Sequence, residues 1–561
     1  MLASQGYHDR VPTTPLSSPP QLSEFIKQVR AAKTAAEERA VVAREAAALR
    51  EAFKLGNPDV RHRNVAKLCF MSMLGYPTHF GQMECVKLIA TTTFPEKRIG
   101  YLALMVLLDE RTEVLMLVTN MMKNDMNQKN QYIAALALSA LGNVGSVEMC
   151  RDVAPDVERL MGSGNAYIRK KAALCAIRII RKVPELAEQF VEKAAMVLSD
   201  KNHGVLLAGV TLILDICEVL PDAVPLYRRY VDLLAKLERA LLASSVGGTE
   251  HEVDGIQDPF LQVKLLQLLR VLGRGDAEAS DRMSDVLAQV ATNIDATKNA
   301  GNAILYECVQ TIMGVESIGG LKTLAITTLG KFLANADNNM RYVALNTLAR
   351  IVGTDVQAVA RHRNTIVECV RDADISIRRR ALDLVYGLVN QTNITALARE
   401  LLDYLAASDK EFKPDLTLRL CQLVQRYAPS KRWQIDTMGQ IFSQAGAFVK
   451  EEIYRSFIVI VTNTPELYGY TTRMMYRKLQ PLAGSPKLPE SLAIVAVWCI
   501  GEFGDYISAP EDLQEGEQPL RETPAEVGGL PVGSSALWVE NRGLTPVPRP
   551  PTRLFRRLRR C

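Results

Sequence analysis

From Leu22 to about Ala509, apolar residues recur at helical spacing, as at Val65, Leu68, Cys69 and Met73, and no stretch sustains a period of two. The pattern predicts an all-α chain. Its periodic segments are interrupted at Gly56-Asn57-Pro58, Gly142-Asn143, Leu220-Pro221-Asp222 and Ala428-Pro429-Ser430. Residues of these types end one helix or cap the next, so the helices are expected to be short.

A second regularity decides the architecture. A polar start, a basic residue and a helix of small apolar residues return together in Asn165-Ala166-Tyr167-Ile168-Arg169-Lys170-Lys171-Ala172-Ala173-Leu174. The same phrase recurs in Asn338-Asn339-Met340-Arg341-Tyr342-Val343-Ala344-Leu345 and in Asp374-Ile375-Ser376-Ile377-Arg378-Arg379-Arg380-Ala381-Leu382, with looser copies near Asn202, Asp258, Asp409 and Ala447. Between clear neighbours the spacing is roughly 36 to 40 residues, the period of HEAT and armadillo helix pairs. One such pair cannot bury its apolar face alone and must stack on the next, which predicts a HEAT/armadillo-like α-solenoid. The Asn or Asp caps the second helix of each pair, and the alanines let neighbouring helices approach closely. Ser244 to Asp258 is polar and Gly-rich and reads as a loop between repeats.

The ends differ from the middle. Met1 to Gln21 carries Pro12, Pro15, Pro19 and Pro20 among polar residues, lacks the apolar core of a secretory signal, and reads as a disordered leader. After Ala509 the chain becomes Pro- and Gly-rich and closes on Arg556-Arg557-Leu558-Arg559-Arg560-Cys561, so residues 510–561 are expected to be disordered. The trunk between them spans residues 22–509.

Composition removes several function classes. Lys plus Arg at 67 against Asp plus Glu at 62 leaves a net charge of +5 over 561 residues, too little to imply a nucleic-acid partner. The longest apolar run, Leu492 to Ile500, has nine residues where a membrane span needs roughly 20, so no crossing is expected. The ten cysteines form no CxxC pair and sit in apolar stretches, which reads as buried reduced thiols in a cytosolic protein. No phosphate loop, dinucleotide fingerprint, HExxH or Gly-x-Ser-x-Gly elbow occurs, and the six histidines are scattered. No enzyme, metal or cofactor is therefore expected, and function is to be sought in surface patches.

One patch follows from charge. Arg61, Arg63 and Lys67 surround an Asn near a helix start, and Arg63 and Lys67 stand four residues apart, so their charges can converge on one anionic group. A solvated charged face is the competing reading.

Leu74 through Ala90 (LGYPTHFGQMECVKLIA) followed by Glu96-Lys97-Arg98-Ile99-Gly100-Tyr101-Leu102 resembles the large-subunit trunk of the clathrin adaptor complexes. Met149-Cys150-Arg151-Asp152, Arg169-Lys170-Lys171-Ala172-Ala173-Leu174-Cys175-Ala176, Arg181-Lys182-Val183-Pro184-Glu185-Leu186 and Tyr427-Ala428-Pro429-Ser430-Lys431-Arg432-Trp433 resemble gamma-adaptins more than alpha-adaptins. Lys201-Asn202-His203-Gly204-Val205 and Trp498-Cys499-Ile500-Gly501-Glu502-Phe503-Gly504-Asp505 extend the resemblance over nearly the whole periodic region. The family continues past that last motif with more trunk helices, a hinge and an ear. Here an unrelated Pro- and Arg-rich tail stands instead, so neither hinge nor ear functions are expected, and an uncapped last repeat is expected to cost stability.

The resemblance implies a non-enzymatic scaffold that joins beta-type, mu and sigma subunits in a heterotetramer. Such complexes select cargo tails carrying tyrosine or dileucine signals, are recruited by a GTP-bound Arf-type GTPase and a phosphoinositide, and lead to clathrin assembly. They act in the cytoplasm, peripherally on the trans-Golgi network and on clathrin-coated vesicles. Mapped onto this chain, the resemblance assigns the lipid headgroup to Arg61, Arg63 and Lys67. It assigns the GTPase to Met83, Val86 and Leu117, where Met83 and Val86 either share an open face or are both core. Arg30 takes the hydrophilic part of a dileucine signal, a task that suits a bidentate guanidinium. Two alternatives remain: an alpha-adaptin-type subunit in endocytosis, disfavoured because Arg61-His62-Arg63-Asn64 replaces a run of lysines, and a HEAT scaffold of nuclear transport or of a phosphatase.

Overall fold

In a computed structural model the described residues are 21–243, 249–316, 319–353, 355–482 and 488–507. The leader and the tail expected to be disordered lie outside them, apart from Gln21. The described residues are almost wholly helical, with 27 α-helices running from Leu22–Ala31 to Glu490–Phe503. They divide into two compact units at Ala325 and Ile326.

In the first unit, helices come as packed pairs of neighbours in the chain. Gln82–Ile89 is followed by Phe94–Leu107, Thr119–Met126 by Gln131–Val144, Val147–Met161 by Ala166–Lys182, and Ala187–Val197 by His203–Val219. The second helices pack side by side in chain order from Pro58–Met73 to Pro259–Gly273. The second unit repeats the scheme: Asn338–Ile351 packs on Ile375–Leu388, and Ile394–Ala407 on Lys413–Tyr427 and Lys431–Ala445.

The residues of the repeated phrase each have a structural task. Asn130, Asn165, Asn202, Asp258 and Asp374 cap second helices by accepting a backbone N–H with the side-chain oxygen. At Asn338–Ile351 the cap is Asp337, one residue earlier than the sequence pattern suggests. The arginine four residues after the cap reaches the aspartate at the end of the next first helix. Arg169 pairs with Asp200 at 2.6 Å, Arg341 with Asp372 at 3.1 Å and Arg378 with Asp409 at 3.0 Å. The small residues Ala134, Ala137, Ala172, Ala173 and Ala176 are buried between helices. At Gly209 an added Cβ would overlap Val197, so this contact requires glycine.

The expected loop at Ser244 to Asp258 is partly ordered. Residues 244–248 lie outside the described set, but Glu252–Val253 pairs antiparallel with Ile256–Gln257 across a turn at Asp254 (φ 53°) and Gly255 (φ 78°). Left-handed backbone at both turn positions is what Asp-Gly supplies, and the hairpin was too short for periodicity to reveal. Nine cysteines are buried and free, and Cys561 lies outside the described residues. Burial raises their thiol pKa values, to about 11 at Cys69 and about 12 at Cys85, so both stay protonated near neutral pH. Among the described residues no helix is long and apolar enough to cross a membrane.

Candidate functional site

The residues singled out by the sequence fall in the first helix layers of the first unit. Pro58–Met73 begins at the Asn57 cap, directly after Gly56 closes Ala35–Leu55 in the left-handed conformation (φ 69°). This tight junction puts Arg61 beside the end of the preceding helix. Its Nη2 donates to the Gly56 carbonyl at 3.2 Å and its Nε to Glu84 at 2.9 Å. Glu84 also accepts from Lys87 at 2.5 Å. Arg61 therefore ties Gln82–Ile89 to the helix junction while 17 % of its side chain stays exposed.

Arg63 is exposed. Lys67 is not: only 1 % of its side chain meets solvent, and its Nζ donates to Glu45 at 2.7 Å. The convergence of Arg63 and Lys67 expected from their spacing does not occur. Ala35–Leu55 covers the helix face at Lys67, and a buried ammonium takes the nearest carboxylate. Of the proposed anion site, Arg63 is exposed, and the Arg61 side chain is mostly covered.

The pair Met83 and Val86 also divides. Met83 is 45 % exposed, whereas Val86 keeps 8 % of its surface and belongs to the core, so the two do not form a common open face. Leu117 is 58 % exposed on the turn Glu113–Val118, next to the equally open Met116. Gln82–Ile89 packs against both Phe94–Leu107 and Glu113–Val118, and on the former Leu102 and Val106 are exposed one turn apart. Sequence reasoning missed Leu102, Val106 and Met116. Phe94–Leu107 is apolar on several faces, so periodicity could not separate its core side from its open side. Arg30 is exposed in the last turn of Leu22–Ala31.

Beside Met116 lies an open cleft of about 390 Å³, bordered by Leu115, Val147, Glu110 and Lys182. Lys182 bonds Glu110 at 2.5 Å and Arg178 bonds it at 2.7 Å. These cations hold the Glu110 carboxyl below its ordinary range. Among the described residues no cluster of His, Cys, Asp or Glu is suited to a metal ion. The surface here presents exposed aliphatic side chains, the Arg63 guanidinium near Asn57 with the mostly covered Arg61 beside it, and a further guanidinium at Arg30.

Residues 38–522 match the family described as Adaptin N terminal region. The chain is 55 % identical over 513 residues to AP-1 complex subunit gamma-2 of Arabidopsis thaliana, covering 91 % of this chain and 59 % of that protein. It is 52 % identical to AP-1 complex subunit gamma of Dictyostelium discoideum, covering 87 % and 54 %. It is 46 % identical to AP-1 complex subunit gamma-like 2 of Homo sapiens, covering 87 % and 62 %. The chain thus spans little more than half the length of these relatives. In fold it is similar to a chain of a homology model of the full-length AP-3 complex in an intermediate open conformation, with a TM-score of 0.56, 19 % identity and 81 % of each chain covered. The chain belongs to the adaptin family, and within that family it is similar to the gamma subunits of AP-1 complexes.

Proposed function

We propose that this chain is the trunk of a gamma-type large subunit, a non-enzymatic scaffold of a clathrin-associated adaptor complex. It pairs with beta-type, mu and sigma subunits and acts in cargo selection and coat formation between the trans-Golgi network and endosomes. It is held peripherally on Golgi and coated-vesicle membranes, and clathrin is engaged through the assembled complex. The observation that carries this reading is the 55 % identity to an AP-1 complex subunit gamma over 91 % of the chain.

Within this reading the surface residues take distinct tasks. Arg63, with Arg61 behind it, meets a phosphoinositide headgroup, and Lys67 supports that helix from inside. Met83 and Leu117 contact a GTP-bound Arf-type GTPase, with Val86 as the packed floor beneath. Arg30 holds the hydrophilic part of a dileucine signal. The test is liposome recruitment of the assembled complex with Arf loaded with GTP. Met83→Glu together with Leu117→Glu is expected to abolish GTP-dependent recruitment, because each puts a charge into an apolar contact. Arg63→Ala is expected to weaken phosphoinositide binding, more so at low than at high salt. Recruitment unchanged by these substitutions in a folded complex would contradict both assignments.

A further inference from the structure

Three aromatic rings form a line across successive repeats of the first unit. Phe94 opens Phe94–Leu107, and Tyr132 and Tyr167 follow the caps Asn130 and Asn165 at the second position of their helices. The rings meet in order, Phe94 to Tyr132 at 6.0 Å and Tyr132 to Tyr167 at 6.3 Å between centroids, inclined at 57° and 54°. At these angles they do not stack flat on one another, and Tyr132 and Tyr167 keep 55 % and 36 % of their surface open.

Cations border this line. The Lys170 ammonium lies 5.6 Å from the Tyr167 ring centre, Arg98 is exposed one turn beyond Phe94, and Lys129 is exposed beside the Asn130 cap. Neighbouring cations that face inward are matched: Lys97 pairs with Asp125 at 2.7 Å and Arg169 with Asp200 at 2.6 Å. Arg98, Lys129, Lys170 and Lys171 have no carboxylate within 4.0 Å among the described residues. The Lys171 pKa is lowered, by burial and then by the charge of Lys170, so positive charge is crowded there without compensation. Glu96 stands at the same edge and accepts the Thr93 hydroxyl at 2.8 Å.

We propose that this edge is a docking track for an extended acidic peptide. Its apolar side chains rest on the three rings, and its carboxylates meet Arg98, Lys129, Lys170 and Lys171. A β-extended chain advances about 3.3 Å per residue and turns every second side chain to one face, so neighbours on that face fall about 6 to 7 Å apart. That step matches the ring spacings of 6.0 and 6.3 Å. Unpaired lysines select the sign of the partner, and rings supply contact area at low entropic cost. A lipid surface fits less well, because the rings form a single file packed against one another instead of a projecting face.

The experiment is fluorescence anisotropy on the full chain with a fluorescein-labelled peptide of alternating Glu and Val. Saturable, salt-sensitive binding is expected, with none for the Lys-Val counterpart. Tyr132→Ala with Tyr167→Ala, and separately Lys170→Glu with Lys171→Glu, are each expected to weaken it about tenfold or more. All four side chains reach the surface at least in part, and an unchanged melting temperature verifies the fold of each variant. The proposal is overturned if the wild-type chain does not bind the Glu-Val peptide or if both variants bind it as tightly as the wild type. It is equally overturned if oligouridine or phosphatidylserine vesicles bind through these residues and displace the peptide, which would assign the track to a nucleic acid or a membrane.

Discussion

Arg63 and Lys67 are both basic and lie one helical turn apart, yet one faces solvent and the other is sealed against Glu45 at 2.7 Å. Removing one member of a buried ion pair strands its partner and costs about 3 to 5 kcal/mol. Lys67→Met is therefore expected to lower the melting temperature sharply, while Arg63→Ala changes stability by less than about 0.5 kcal/mol, as surface substitutions do. Thermal unfolding of the two variants side by side checks the assignment. Glu238 carries the opposite lesson. It is fully buried, neither of its carboxylate oxygens has a hydrogen-bond partner among the described residues, and burial raises its pKa well above the ordinary 4.5. The stability it allows at pH below 4.5 is lost as pH rises toward the folded-state pKa, because only the unfolded chain can ionise it freely. Glu238→Gln is expected to raise the melting temperature at pH 7 and to leave it unchanged near pH 4. A gain that is equal at both pH values would contradict a protonated Glu238.

At the scale of the helix, the repeated phrase was legible because it is the wiring of the repeat. The polar residue is the cap, the alanines are the helix contacts, and the arginine is the rung that reaches the next pair, as from Arg169 to Asp200. Asn165→Ala removes the acceptor of the Tyr167 N–H and is expected to cost about 1 kcal/mol, read as a lower denaturant midpoint at unchanged slope. What stayed illegible depends on what covers each turn. Spacing placed Met83 and Val86 on one face, but it could not tell that packing neighbours bury Val86 and leave Met83 open. The aromatic line had a visible trace, a tyrosine two residues after both Asn130 and Asn165, whose meaning emerges only when the two helix starts lie side by side. The Asp254-Gly255 hairpin escaped because two-residue strands carry no period.

For the whole molecule, the fold class was readable from periodicity and the 36- to 40-residue return alone, since both follow from the need of each helix pair to bury one face against the next. The function was not readable that way. Helical periodicity declares a stack of repeats and no particular partner, and it took motif resemblance and then similarity to gamma subunits to show the family. The central claim is that these repeats are the trunk of a gamma-type adaptor subunit. Its most direct test is co-expression of this chain with beta-type, mu and sigma subunits, followed by sizing chromatography and stoichiometry. One copy of each subunit eluting together is the predicted result. A chain that stays folded and alone in the presence of all three, while a full-length gamma subunit assembles with them under the same conditions, would contradict the claim.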